Sequence, residues 1–468
     1  MDMKASTDWR KRDWLLPLVQ HVTLPVAVAK DHPGYGRYLR EFEATQYWSR
    51  AEIEALQTRR LRALLTHAAK HCPFYAARFR QAGFSPETMD SFDQFYTLPR
   101  LTKSEIQKYG AEMTATNQDA AKRVRNQTGG STGSPLQFWV DRERFTSRKA
   151  STTRHNRWAG MNPGDWLAVL WGARLDLASR PGLWGRLRNE LVGRQIELNT
   201  SRLREEDWQA FIRMLRQKRP RFLLAYAQSA VLFARYLRER GVSDIHFESV
   251  ITTAEVLSPG QREEIEAAFH AEVFNRYGCR EVSVIASECS CHSGLHVNAE
   301  ALLVEIEADP EIPAPSGKVL VTDLLNYSMP LIRYEIGDVA AWARQQSCPC
   351  GRGLPLLEDI RGRITDFIEL RDGTRISGPA LTLVIADMAD VSQVQFVQKD
   401  AGLIELRVVP GKSYGLRTRD ELKRRLGAYV GDQARIEISD VPAIRSESSG
   451  KYRFVINQTV DANRTGAQ

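Results

Sequence analysis

The chain has 468 residues, 43% apolar and 26% charged, with 65 basic against 57 acidic side chains and a formal net charge of +8. That length exceeds one ordinary core, so two or three globular domains are expected. No apolar run nears the ~20 residues that cross a bilayer, no basic block interleaves with aromatics, and the mixed-charge start (Asp2, Lys4, Asp8, Arg10, Lys11, Arg12, Asp13) lacks a leader's apolar stretch. Neither a membrane nor a nucleic acid is therefore an expected partner, and a cytoplasmic location is expected by default.

Residues 1–95 read as helical. Apolar positions at helical spacing (Ile53, Leu56, Leu61, Leu64, Leu65, Ala68) run from Trp48 to His71, and Cys72-Pro73-Phe74-Tyr75 breaks the pattern. Cys72 reads as a small buried hydrophobe. Thr102, with Glu105 three residues on, predicts a capping box at a helix start.

The stretch Thr128-Gly129-Gly130-Ser131-Thr132-Gly133-Ser134-Pro135 lies between the basic residues Lys122, Arg123 and Arg125 and a strand-like run, Leu136 to Val140. Glycines permit φ > 0 and close approach of a ligand. Successive N–H groups and hydroxyls would form an anion cradle. No Gly-Lys-Ser/Thr follows, so this is not a Walker loop. A plain surface turn is the alternative.

A helical pattern then spans Arg142 to Ala159. Strands are predicted at Trp166–Trp171, Phe222–Tyr226, Ser249–Ala254 and Glu272–Tyr277, and helices at Glu205–Lys218, Ala230–Arg240 and Pro259–Phe269. This alternation predicts a largely parallel sheet. Ligands in such sheets sit beyond the C-terminal strand ends. Thr252 to Glu255 and Tyr277 to Glu281 both follow strands and should line one site. After Glu300 the strands Leu302–Ile306, Lys318–Thr322 and Leu331–Tyr334 alternate apolar and polar, which predicts a more antiparallel subdomain. The segment Ile360 to Asp366 precedes short strands and helices up to about residue 458, read as a separate C-terminal domain. The expected division is 1–95 (helical part of the large domain), 96–362 (its core), 366–458 (small domain) and 459–468 (disordered tail).

Six cysteines are present, and Cys289, Cys291, Cys348 and Cys350 form two close pairs about 55 residues apart, with His292 and His296 nearby. Four ligands from two short clusters would make a closed structural Zn²⁺ site. Reduced thiols in turns are the alternative.

In this order, Pro73-Phe74-Tyr75, Leu98 to Lys103, Thr128 to Pro135, Tyr277-Gly278 with Glu281, Gly294-Leu295-His296, Met329 to Tyr334 with Gly337-Asp338, Cys348 to Arg352, Gly362-Arg363 with Asp366, and Ser449-Gly450-Lys451 resemble the adenylate-forming superfamily. The closest likeness is to the phenylacetate–CoA ligase branch and its capsule-biosynthesis relatives, over roughly residues 45–455. The resemblance implies an α/β fold: a large N-terminal domain with mixed, largely parallel sheets and a small mobile α+β C-terminal domain. It implies two half-reactions. A carboxylate attacks the α-phosphate of ATP to give acyl-AMP and pyrophosphate; a thiol, that of CoA, then displaces AMP.

By the same resemblance, Thr128, Gly129, Gly130, Ser131, Thr132 and Gly133 hold phosphates and Glu281 binds Mg²⁺. Tyr277 with Gly278 meets adenine, Asp338 takes the ribose hydroxyls, and Ala254 and Glu255 line the adenine or acyl side. Arg363 contacts ribose or phosphate, Asp366 is the hinge, and Lys451 bridges carboxylate and α-phosphate. Cys289, His296, Cys348 and Cys350 match a zinc site reported by the resemblance, with Cys291 as substitute for Cys289. The loop departs from the family: Ser134 and Leu136 stand where lysine is common, and Gly129 where serine is usual. Loop charge is lower, so pyrophosphate handling relies more on Mg²⁺. The expectation is an acid–CoA ligase for an aromatic or other small organic acid. Transfer to an amine or carrier protein, and a non-catalytic zinc-stabilised nucleotide-binding protein, are the alternatives; a homodimer is left open.

Overall fold

Local signals set the helix boundaries. Ser49 caps the helix Arg50–His71 in a capping box with Glu52, and Ile53, Leu56, Leu61, Leu64, Leu65 and Ala68 form its buried face. It stops at Cys72, whose extended backbone (φ −116°, ψ 105°) is what a residue before proline adopts. Pro73 then opens the helix Pro73–Gln81. Cys72 is buried, and burial pushes its thiol up to about 12, so it acts as a small hydrophobe as expected. The predicted box at Thr102 is present: Glu105 N donates to Thr102 Oγ1 (3.3 Å) and Thr102 N to Glu105 Oε2 (2.8 Å).

The computed structural model describes residues 13–127, 136–171, 182–200, 205–257, 259–310, 312, 314–363, 367–372, 375–377, 381, 388, 390–400, 402–411, 413–444 and 454–458. Strands β1 (Arg123–Gln127) and β2 (Gln137–Asp141) pair antiparallel as a ribbon. The large sheet contains β3 (Leu167–Trp171), β4 (Gln195–Asn199), β5 (Phe222–Tyr226), β6 (Ser249–Thr253), β7 (Glu272–Cys279), β8 (Ser283–Ser287), β9 (Leu295–Val297), β10 (Leu302–Glu307), β11 (Gly317–Asp323), β12 (Tyr334–Trp342) and β13 (Leu356–Arg363). Its order is β10-β11-β12-β13-β9-β8-β7-β6-β5-β3-β4. The β4-β3-β5-β6-β7 half is parallel, and every pairing from β7 to β10 is antiparallel. The antiparallel strands expected after Glu300 thus continue the same sheet rather than forming a subdomain of their own. The predicted strand at Leu331–Tyr334 begins only at Tyr334. Pro330 cannot donate to a ladder, and Arg333 sits at φ +50° with its guanidinium on Glu305 and Glu307.

The helix Arg142–Trp158 crosses the core although its sequence is mostly polar. Arg144, Ser147, Arg148, Ser151, Arg154 and His155 are all buried along it. Arg154 pairs with Glu300, which also accepts from Thr45 (2.8 Å) and so ties the N-terminal helices to the sheet.

Beyond residue 366, β14 (Phe367–Glu369) pairs with β15 (Arg375–Ser377). A second sheet, β18-β17-β16-β19, joins β16 (Val391–Asp400), β17 (Leu403–Pro410), β18 (Arg435–Asp440) and β19 (Val455–Asn457). The helix Leu416–Val430 packs Leu422, Leu426 and Val430 on a core of its own with Phe396, Ile404, Leu406 and Val408. No helix among the described residues is long and apolar enough to cross a membrane.

Candidate functional site

The parallel pairing brings the C-terminal ends of β3, β5, β6 and β7 to one edge. Ala254, just past β6, adopts φ +67°, a conformation that an alanine holds only when its surroundings impose it. The neighbouring Glu255 Oε2 accepts from Gln228 N (2.8 Å) in the first turn of the helix Ala227–Glu239, so it also serves that helix start. Trp171 and Tyr226, at the ends of β3 and β5, touch with ring centroids 4.6 Å apart. Phe222 opens β5 at the opposite end and is fully buried, so it is core.

Two side-chain pairs link the β7 end to β12. The Tyr277 hydroxyl donates to Asp338 Oδ2 (2.8 Å), and the Tyr334 hydroxyl to Glu281 Oε1 (3.0 Å). All four residues are buried. A carboxylate has about four lone-pair positions, so one tyrosine does not exhaust either acid. Arg363 is the register partner of Asp338 across β12 and β13, which aligns its backbone with the pair. Gly278 is dictated by space: a Cβ there would lie 2.5 Å from Ser283 O in the tight β7–β8 turn. Thr128, Gly129, Gly130, Ser131, Thr132, Gly133, Asp366 and Lys451 lie outside the described residues.

Sequence reasoning missed the support under Glu281. Arg144 Nε contacts Asp323 Oδ1 at 2.7 Å, both side chains wholly buried, and Arg148 Nη2 reaches Asp323 Oδ2 at 3.4 Å. The same guanidiniums donate to the backbone of the turn that carries Glu281: Arg144 Nη2 to Val282 O (3.1 Å), Arg148 Nη1 to Arg280 O (3.5 Å) and Arg148 Nη2 to Glu281 O. A planar guanidinium donates in several directions at once, which suits it to bridge a carboxylate and a turn. The only available signal was the polarity of a segment with helical spacing, which reads equally as a solvated helix.

The cysteine clusters converge. The ligand atoms of Cys289, His296, Cys348 and Cys350 all lie within 4.8 Å of one another, with Cys291 outside this group. Cys289 and Cys348 sulfurs are 3.7 Å apart, and Cys350 Sγ is 3.3 Å from His296 Nε2. Tetrahedral zinc, with Zn–S of ~2.3 Å and Zn–N of ~2.0–2.1 Å, needs ligand–ligand edges of about 3.8 and 3.5 Å, so the four residues fit that ion. Burial, aided by the Arg352 charge, pushes His296 down to about 4, which keeps its imidazole neutral and able to ligate. Gly294, at φ +127°, passes so close to Leu357 O that a Cβ would lie 2.6 Å from it; this approach sets the Cys289–His296 segment on β13. A tetrahedral ion held by all four would have no ligand position left for substrate.

A family model described as the CapK C-terminal domain matches residues 368–458. Protein CapK of Staphylococcus aureus is 24% identical over 413 residues, covering 87% of this chain and 89% of the relative. Phenylacetate-coenzyme A ligase of Aromatoleum evansii is 21% identical over 445 residues, covering 89% and 97%. Among solved structures, 2-hydroxyisobutyryl-CoA ligase in the postadenylation state superposes with a TM-score of 0.73 at 22% identity, covering 90% of this chain and 93% of that one, a likeness of fold.

Proposed function

We propose that this chain is an AMP-forming acid–CoA ligase of the phenylacetate–CoA ligase-like branch of the adenylate-forming family, the branch of the relatives, CapK included, that it resembles over most of its length. In the first half-reaction an oxygen of the acid attacks the α-phosphorus of ATP, the bond to the bridging oxygen breaks, and pyrophosphate leaves. In the second, the CoA thiolate attacks the acyl carbonyl and AMP leaves.

The observation that supports this reading most is the pairing of Tyr277 with Asp338 and of Tyr334 with Glu281, which joins the C-terminal end of the parallel strand β7, the ligand side of an α/β sheet, to β12. Tyr277 offers a flat face to a base, and Asp338 accepts from ribose hydroxyls. Glu281 provides the hard oxygen that Mg²⁺ takes alongside phosphate oxygens, and that ion would neutralise phosphate charge during in-line attack. Arg363 donates to ribose or phosphate. The loop Thr128 to Gly133 holds the phosphates through backbone N–H groups. Ala254 and Glu255 border the acyl or adenine side, and Trp171 with Tyr226 favours an aromatic acid. The unit 366–458 turns about Asp366 between half-reactions. Cys289, His296, Cys348 and Cys350 hold a structural Zn²⁺.

Carboxylate-dependent ATP–pyrophosphate exchange, run across a panel of acids with Mg²⁺ and without CoA, tests the proposal. Exchange with an aromatic acid, followed by CoA-dependent AMP release, is the expected result. No exchange in protein that binds ATP would overturn it and favour a non-catalytic nucleotide-binding protein; exchange followed by transfer only to an amine or carrier would correct the acceptor.

Two further outcomes are expected. Asp338→Ala should raise KM for ATP about 10- to 100-fold with a smaller effect on kcat, since a hydrogen bond to a charged group contributes about 1.5–3 kcal/mol; an unchanged KM would remove Asp338 from the ribose. Metal analysis of protein purified without chelator should find one zinc per chain, and Cys348→Ser should lose it and lower Tm by about 5 °C or more. Metal-free wild-type protein with the same Tm would exclude the zinc.

A further inference from the structure

On the flank of the large sheet, the helical turns Leu16–Leu18, Val19–Thr23 and Leu24–Asp31 lie against Leu183–Arg188 and Asn189–Gly193, joined by a hydrogen bond from Thr23 Oγ1 to Leu191 O. Trp14, Leu18, Val22 and Val26, spaced by four, present their side chains to solvent. Leu183, Trp184 and Leu187 do so from the second segment. Trp14, Leu183 and Trp184 are 81%, 81% and 82% exposed, far beyond the scattered apolar exposure of an ordinary surface. Val22, Val26, Trp184 and Leu187 line one shallow groove between the two segments.

We propose that this face is a docking surface for an anionic lipid bilayer, on which the chain lies without spanning it. Charge decides the occupant. No acidic residue occurs between Asp13 and Asp31, and Asp13 itself is taken up by Arg194. Lys30 and Arg188 rim the groove, with Arg186 on the same turn as Trp184. Of the acids at hand, Asp31 pairs with Arg188 at 3.8 Å and Glu190 with Lys218. Tryptophan and leucine on one side with lysine and arginine around them are what an interfacial helix brings to anionic headgroups. A second copy docked on the same face would instead set Arg186, Arg188 and Lys30 against their own images. The turns lie near the N-terminal end of β3, opposite the strand ends that carry the candidate site. The turns pack near Gly164, where a Cβ would meet Gln20, Val19 and Leu16, and Arg194 O accepts from Leu167 N at the start of β3. The docked chain would keep the C-terminal strand ends toward solvent. This departs from the expectation of no membrane partner, which rests on the lack of an apolar run of spanning length; docking on a surface needs no such run.

The test is flotation of the full chain with phosphatidylcholine vesicles with and without phosphatidylglycerol. Binding is expected only to the vesicles containing phosphatidylglycerol, weakening as salt rises. The double variant Trp14→Ala with Trp184→Ala should lower the bound fraction at least about tenfold, because each ring removes a large apolar contact. Arg186→Glu with Arg188→Glu should abolish the preference for phosphatidylglycerol. Since these side chains are exposed, unchanged circular dichroism and Tm serve as the folding control. No flotation, or flotation that neither variant changes, would overturn the proposal. So would loss of a concentration-dependent dimer in the tryptophan variant without any vesicle binding, which would assign the face to a second copy.

Discussion

Asp323→Ala is expected to cost about 3–5 kcal/mol of folding stability, the size of effect seen when one partner of a buried ion pair is removed. Asp323 and Arg144 are fully buried, and Arg148 shares the same carboxylate. Burial, with the Arg144 charge beside it, already lowers Arg148 to about 10, which Asp323 opposes. Deleting the carboxylate leaves two cations without their counter-charge in the core. The damage should also reach the site, because the same guanidiniums hold the carbonyls of Arg280, Glu281 and Val282. Denaturant unfolding followed by fluorescence reads the first effect, as a fall in midpoint at constant slope. ATP–pyrophosphate exchange reads the second. Asp323→Asn keeps the size and an acceptor and should fall between wild type and alanine. A stability loss under about 1 kcal/mol for Asp323→Ala would mean that solvent reaches the arginines and that the buried pair is not what holds the turn.

Lys451→Ala should lower the rate of acyl-AMP formation about 10²- to 10³-fold while sparing thioester formation from preformed acyl-AMP. Removing one preorganised group that faces charge developing in a transition state has that magnitude. The lysine follows Ser448-Ser449-Gly450, and the resemblance assigns it to the adenylation half-reaction. Its role is drawn from the family motif, since residues 445–453 lie outside the described part. Single-turnover measurements of each half-reaction separate the two effects. Equal losses in both would remove Lys451 from adenylation and assign it to folding or to general nucleotide binding.

Elements with strong local signals were legible in the sequence. The Thr102–Glu105 box, the stop at Cys72-Pro73 and the parallel strands β3, β5, β6 and β7 follow from capping chemistry, proline geometry and runs of buried residues. The equivalent box at Ser49 and Glu52 obeys the same rule. Less legible was β4, whose alternating Gln195-Ile196-Glu197-Leu198-Asn199 is short and lies at the sheet edge. The helix Arg142–Trp158 was placed but not its burial, because arginine-rich helical spacing normally marks a solvated surface.

The sequence by itself determined which chemistry was available. Tyr277, Glu281, Asp338, Arg363 and the cysteine pairs were identified from motifs, since residue type and short spacing are local properties. It also determined helix starts and strand runs, which depend on neighbours a few residues away. Only the tertiary structure decided who meets whom: Tyr277 with Asp338, Tyr334 with Glu281, and Cys289 rather than Cys291 with His296, Cys348 and Cys350. It alone showed that Asp323 neutralises two buried arginines and that Trp14 and Trp184 stand in solvent. The reason is common to all of these. Burial and long-range contact are set by how the sheet and helices pack, and one polar or apolar residue reads identically in a linear chain whether packing covers it or leaves it exposed.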